Sequence, residues 1–153
     1  MVETLIGPVG PVAIAHVAAR MRAADRAEVL AGGGRSPREA IERSLALSSH
    51  AWAGWIGTEP AAIFGVGPSS LAGGFGVPWF LGAEVLERNP RPLLTISRDW
   101  LARIAALYPH LENYVDARNG RAIRWLRWLG FAIHPAVPYG VGRMPYHRFT
   151  WGC

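Results

Sequence analysis

Between Ala61 and Ala83 the chain carries no charged residue. A run of that length raises the question of a membrane helix, which needs about 20 apolar residues. Gly65, Gly67, Pro68, Gly73, Gly74, Gly76 and Pro78 answer it, because they interrupt any helix through the segment. The segment instead reads as two buried strands, PAAIFGVG and GVPWFLGAEV. HAWAGWIG precedes them and forms a predicted hairpin with the first, through Thr58-Glu59.

Helical patterns flank these strands. VAIAHVAARM and RAADRAEVLA both read as helix, and Gly32-Gly33-Gly34 ends the region. In SPREAIERSLALSS, Ser36 is placed to cap, Pro37 suits the first helical position and Glu39 completes a capping box. Ile41 and Leu45 then share a face. After the strands, NPRPLLTISRDWLARIAALYPH predicts a helix capped by Asn89, with Pro90 in its first turn and Pro109 as its stop. Leu93, Ser97, Trp100, Leu101, Ile104 and Tyr108 follow helical spacing there. LENYV is a short strand, and NGRAIRWLRWLG a helix ended by Gly130. FAIH and YHRFTW read as closing strands joined by the loop PAVPYGVGRMP. The order predicts an α/β domain with a mixed sheet. Strand-helix-strand steps in the second half favour parallel neighbours.

The 153 residues suit one domain, 1–153. Half of them are apolar and 18% charged, as in a compact globule. All 16 basic residues are Arg, and the net charge of +5 favours acidic partners such as nucleotides or phosphates. The single Cys153 excludes an internal disulfide and a cysteine zinc site. The five histidines have no zinc-protease spacing, so no metal is expected. Glu3, Pro8 and Pro11 do not suit a secretory signal, and a cytoplasmic setting is expected.

The stretch from Asn119 to Phe131 is the most specific. Ala122, Leu126 and Leu129, with Ile123, can face a core, while Arg121, Arg124 and Arg127 fall on the other side. That side reads as a solvated face within reach of phosphate. Trp125 and Trp128 read as packing, which makes nucleic acid an unlikely partner. Asn119, then Arg121-Ala122-Ile123, then Gly130-Phe131 resembles the N-x-R-A-I-x-x-Y-x-x-x-G-F signature of the GNAT acyltransferases, with YVDA similar to the preceding fifth strand. MRAADRAEV, PWFLG, the NPR helix, YVDARN, RWLRWLGF and YHRF further resemble a GNAT-like group that tailed phages encode among their virion genes.

The resemblance implies a GNAT fold: a mixed sheet of about six to seven strands flanked by helices, with the fourth and fifth splayed. It implies acetyl-CoA as acyl donor, its pantetheine lying along the backbone of Trp79, Phe80, Leu81, Gly82 and Ala83, and Asn119 and Ile123 among the cofactor-binding residues. It implies a small-molecule or protein amine as acceptor. Two departures stand out. The Gly-rich pyrophosphate loop is absent, and Pro90 and Pro92 remove N–H donors from the helix start. Arg88 and Arg91 are candidates to bind pyrophosphate instead. Leu126 occupies the position of the tyrosine that protonates the leaving thiolate, so Tyr139, Tyr146 or His147 must substitute, or water. Glu28 and Glu84 are candidate bases, each requiring a pKa raised by burial. Asp25 with Arg26, and Asp116 with Arg118, read as local pairs. The alternative implied by the departures is a catalytically weak or silent GNAT scaffold that associates with phage virion proteins. The seven tryptophans leave room for a homodimer.

Overall fold

A computed structural model describes residues 3–69 and 73–152. Cys153 and residues 70–72 of the charge-free stretch lie outside the described residues. The elements run β1 (Thr4–Gly7), α1 (Pro11–Ala19), α2 (Ala23–Gly33), α3 (Pro37–Leu47), β2 (His50–Ile56), β3 (Glu59–Pro68) and β4 (Phe75–Gly82). They continue with α4 (Val85–Arg88), α5 (Pro90–Leu107), β5 (His110–Asp116), α6 (Gly120–Leu129), β6 (Ala132–Tyr139) and β7 (Met144–Trp151). The seven strands form one mixed sheet, ordered β1-β2-β3-β4-β5-β7-β6.

The charge-free segment forms the centre of that sheet. Every residue of β3 from Pro60 to Gly67 is buried, which requires cover on both faces. α1 and α3 pack against β3 and against each other, and α2 packs on α3. α5 also packs on β3, and on α6. On the α5 side Phe64, Phe80, Trp100 and Trp125 form one aromatic cluster. Trp100 and Trp125 stack at 5.6 Å with planes 13° apart, and Phe64 and Phe80 stack at 5.6 Å. The Trp125 indole N–H donates to Ser97 Oγ at 2.7 Å, which gives the amphipathic ring a partner for its polar edge. Trp125 is thus core packing, while Trp128 remains 47% exposed beneath Arg98.

Local signals account for the helix ends. Ser36 Oγ accepts from Glu39 N, and the Glu39 carboxylate accepts from Ser36 N, which closes the capping box. Gly34 and Gly130 terminate α2 and α6 at φ +66° and +105°, where a side chain would be strained. Between α1 and α2 the chain bridges to the end of β4. Met21 pairs with Ala83, and Arg22 N donates to Gly82 O at 2.9 Å.

Several features differ from the sequence reading. The strand expected to run through GVPWFLGAEV ends at Gly82, and Val85 opens the short α4. β1 is an additional edge strand, paired with β2. Asn89 does not cap α5; its side chain turns back to Val85 O and closes the short α4. The segment expected as a loop is mostly ladder, from Val137↔Tyr146 to Tyr139↔Met144. Finally, β6 is not the neighbour of β5. β7 inserts between them, antiparallel to both, so β5 and β6 run the same way without backbone pairing. Among the described residues the one parallel contact is β4 with β5.

Candidate active site

That parallel contact is brief. β4 and β5 pair only at Phe75↔His110 and Gly76↔Leu111. Beyond it they part, and Asn113 Nδ2 spans the gap to Pro78 O at 2.6 Å. The slot between them encloses about 250 Å³ and is lined by Pro78 to Leu81 on one side and Asn113 to Val115 on the other. Alternation along a strand turns the polar groups of Pro78, Phe80 and Gly82 toward β5. Pro78 has no N–H and its carbonyl is taken by Asn113. The Gly82 N–H donates to Asp25 Oδ2 at 2.8 Å, and its carbonyl accepts from Arg22. Phe80 is left as the residue whose N–H and C=O face the slot.

Glu28, on α2, lies where the slot meets a second concavity, and it lines both. Its Oε1 accepts from the backbone N–H of Asp116, at the end of β5, at 2.9 Å. Burial pushes its carboxyl up to about 7, the charges of Asp25 and Asp116 add to the rise, and the Asp116 N–H and the Asn119 side chain oppose it. Asp116 itself is held low. Burial would raise it, but hydrogen bonds and charge from Arg118 outweigh that. Asp25 is fully enclosed, and burial raises its carboxyl against the pull of Arg22 and the Gly82 N–H. Three carboxylates thus sit near one end of the slot, each held by different partners.

The second concavity encloses about 330 Å³ between α2, α3, β5 and the β6–β7 hairpin. Tyr114 stacks on Tyr139 at 4.1 Å and 14°, and Tyr139 leans on Tyr146. The Tyr146 hydroxyl donates to Glu28 O at 3.0 Å. Burial, with the nearby charge of Glu28, raises the Tyr146 phenol far above its ordinary value.

Trp79, Phe80, Leu81 and Asn119 line the slot, as does Leu126. Trp79 is anchored by its indole N–H to Ser48 Oγ at 2.7 Å. Asn119 accepts from Ala122 N and so caps α6. Ile123 is buried in the core behind the slot. Glu84, Arg88 and Arg91 lie elsewhere. Glu84 is exposed in a hollow with His16, Arg20, Glu59 and Arg88, and Arg91 borders a separate concavity beside Thr4 and Pro92. Tyr139 lines the second concavity, not the slot. His147 Nδ1 donates to His134 O at 2.7 Å.

Arg22, Asn113, Tyr114, Glu87 and Arg121 line the slot without having been singled out for it by sequence. Arg121 and Glu87 approach to 3.9 Å between α6 and α4. Among these, Arg121 belongs to the N-x-R-A-I pattern, Arg22 to MRAADRAEV and Tyr114 to YVDA.

Among the described residues no helix is long and apolar enough to cross a membrane. No family model matches the chain, and no curated protein matches it. Its structure is similar to that of the ribosomal-protein-S18-alanine N-acetyltransferase of Escherichia coli, with TM-score 0.61 and 14% identity over 97% of this chain and 93% of that one. It is similar to Ard1 of Thermoplasma volcanium, with TM-score 0.66 and 13% identity over 96% and 95%. A Bacillus subtilis acetyltransferase solved with CoA superimposes with TM-score 0.65 and 10% identity over 99% and 98%. At such identities the likeness is one of fold: the chain has the GNAT fold, with β4 and β5 splayed.

Proposed function

We propose that the chain is an N-acyltransferase that takes acetyl-CoA as donor substrate and an amine as acceptor. The observation that carries this reading is the parting of β4 and β5 after Gly76 and Leu111, with Glu28 at the resulting slot. The donor supplies an activated acetyl thioester. The exposed N–H and C=O of Phe80 suit one pair of hydrogen bonds to an extended amide arm, while Trp79 and Leu81 flank it. Arg22 and Arg121 place cations on the slot wall, and Arg88 and Arg91 lie off it. With Pro90 and Pro92 in the first turn of α5, diphosphate oxygens would rest on guanidinium more than on backbone N–H groups.

Glu28 is the base in this reading. A carboxyl held near 7 is half deprotonated at neutral pH and can take a proton from the attacking ammonium. The amine nitrogen bonds to the acetyl carbon as the C–S bond breaks, its second proton leaves to solvent, and the thiolate then needs a proton. Leu126 has none to give. Tyr146 is engaged with the Glu28 carbonyl and His147 with that of His134. Tyr114 is the phenol that lines the slot, and we assign it the proton donation. Acetyl-CoA at about 100 times its Kd stabilises the folded state by about 2.7 kcal/mol. For a chain of this size each kcal/mol raises Tm by about 2–4 °C. A flat thermal profile at millimolar acetyl-CoA sinks the reading.

A second reading is favoured by Leu126 and by Gly82, whose two polar groups are already bonded to Arg22 and Asp25. It makes the chain a catalytically silent scaffold in a phage particle. Fixed stoichiometry in purified particles, with no response to acetyl-CoA, would select it.

A further inference from the structure

We infer that the acceptor is a small amine bearing an anionic group, a carboxylate or phosphate, bound in the second concavity. The inference rests on the acyl-transfer reading and names its acceptor class. The concavity meets the slot at a shared wall of Glu28, Val29, Ser44, Asn113 and Tyr114. An amine lodged there has a carboxylate on its slot side. On the remaining walls stand Arg35 and Arg43.

These two arginines differ from their neighbour. Arg38 is paired with Glu42 at 2.9 Å. Glu39 is committed to the Ser36 backbone in the capping box, though close enough to Arg35 to feel its charge. The carboxylates of α3 are therefore taken. Among the described residues neither Arg35 nor Arg43 forms an ion pair. The Arg35 guanidinium folds across the end of α2, against Gly33. Two cations line a hollow whose one lining carboxylate is Glu28, at its junction with the slot. That arrangement matches a ligand with a cationic end and an anionic end.

Size and shape agree. A volume of about 330 Å³ falls in the range of small-ligand pockets, about 300–1,000 Å³. The roof is held in place, because the β6–β7 turn bonds to the end of α2 through Val141 N to Gly32 O and Gly142 N to Ala31 O. Tyr114, Tyr139 and Tyr146 offer ring surface for a short apolar stem.

The test uses the full chain and matched probes. L-phenylalanine is compared with L-phenylalaninamide, and aminoethyl phosphate with ethanolamine. A tetrapeptide with a free amino terminus and an amidated carboxyl end represents a protein acceptor. Each is measured for binding without donor, by calorimetry, and for CoA release with acetyl-CoA. The anionic members should bind at least about ten-fold tighter than their neutral partners. The better of the amino acid and the phosphate identifies the anion. Arg35→Ala with Arg43→Ala should erase that preference by raising KM, with kcat and the neutral amines little changed. Arg38→Ala should retain it.

Equal use of neutral amines or of the amidated peptide overturns the inference and leaves acyl transfer standing. So does a loss in the double variant that falls equally on charged and neutral amines. Arginine-dependent binding of an anionic amine with no CoA release overturns acyl transfer and leaves the ligand class standing. Absence of binding by every probe overturns the inference.

Discussion

At the scale of single residues, the acyl-transfer reading rests on Glu28. Its carboxyl is pushed up to about 7 by burial, so a reaction that uses it as base should gain rate with pH and level off above that value. Glu28→Gln should remove that limb and lower kcat by about 10²–10⁴-fold. Stability moves in the opposite sense. The folded value lies above the unfolded value near 4.5, so the native chain keeps the proton longer. The stabilisation is complete below the unfolded value and is lost as pH rises through 7. The glutamine can still accept from Asp116 N and never ionises. The Tm of Glu28→Gln relative to the parent should therefore climb between pH 5 and pH 8, and an unchanged gap would show that Glu28 is not buried as described. Glu28, Asn119 and the Trp79–Leu81 backbone were legible in sequence because a contiguous pattern carries them. Asn113 was not, and the contacts of Arg22 and Asp25 with β4 were not. The partners that give them meaning, Gly82 for Asp25 and Pro78 for Asn113, lie 57 and 35 residues away. No spacing rule reaches that far.

At the scale of elements, legibility followed local chemistry. The capping box of α3, the glycine stops of α2 and α6, and the buried β3 are each written within a few residues, while β4 beside it is half-buried with Val77 exposed. β6 was obscured by Pro135 and Pro138, which cannot donate to a ladder. An edge strand tolerates them, and the register shift between Ile133 and Ala136 absorbs the first. The insertion of β7 beside β5 was hidden for another reason: pairing order is a property of the whole sheet. The hairpin these strands form has a specific duty. Its Gly140, at φ +75°, approaches α2 so closely that a Cβ would lie 2.5 Å from Gly32 O. Gly140→Ala should cost about 1–3 kcal/mol in backbone strain and lift the roof of the second concavity. In urea unfolding the midpoint should fall. In kinetics the KM for the acceptor should rise several-fold while acetyl-CoA affinity holds. Lost stability with an unaltered acceptor KM would reduce the hairpin tip to packing.

For the whole molecule the question is how a slot without a glycine-rich loop would hold a polyanionic donor. Pro90 and Pro92 remove N–H groups from the helix start, and Gly82 has its own already bonded. Attraction then falls to charge. The net charge is +5, with sixteen Arg and no Lys, and Arg22 and Arg121 line the slot. Arg121 is 75% exposed, so its reach is screened by salt. The Debye length shrinks from about 10 Å at 0.1 M to about 3 Å at 1 M. Backbone hydrogen bonds to a diphosphate would be far less sensitive. Raising salt across that range should therefore increase the KM for acetyl-CoA several-fold at nearly constant kcat. A neutral thioester that keeps only the pantetheine end, S-acetyl-N-acetylcysteamine, should show no such dependence, since it carries no diphosphate for the guanidinium groups to attract. If both donors respond alike to salt, the arginines act on the protein's own stability or on the acceptor. The donor must then be held by contacts other than these guanidinium groups.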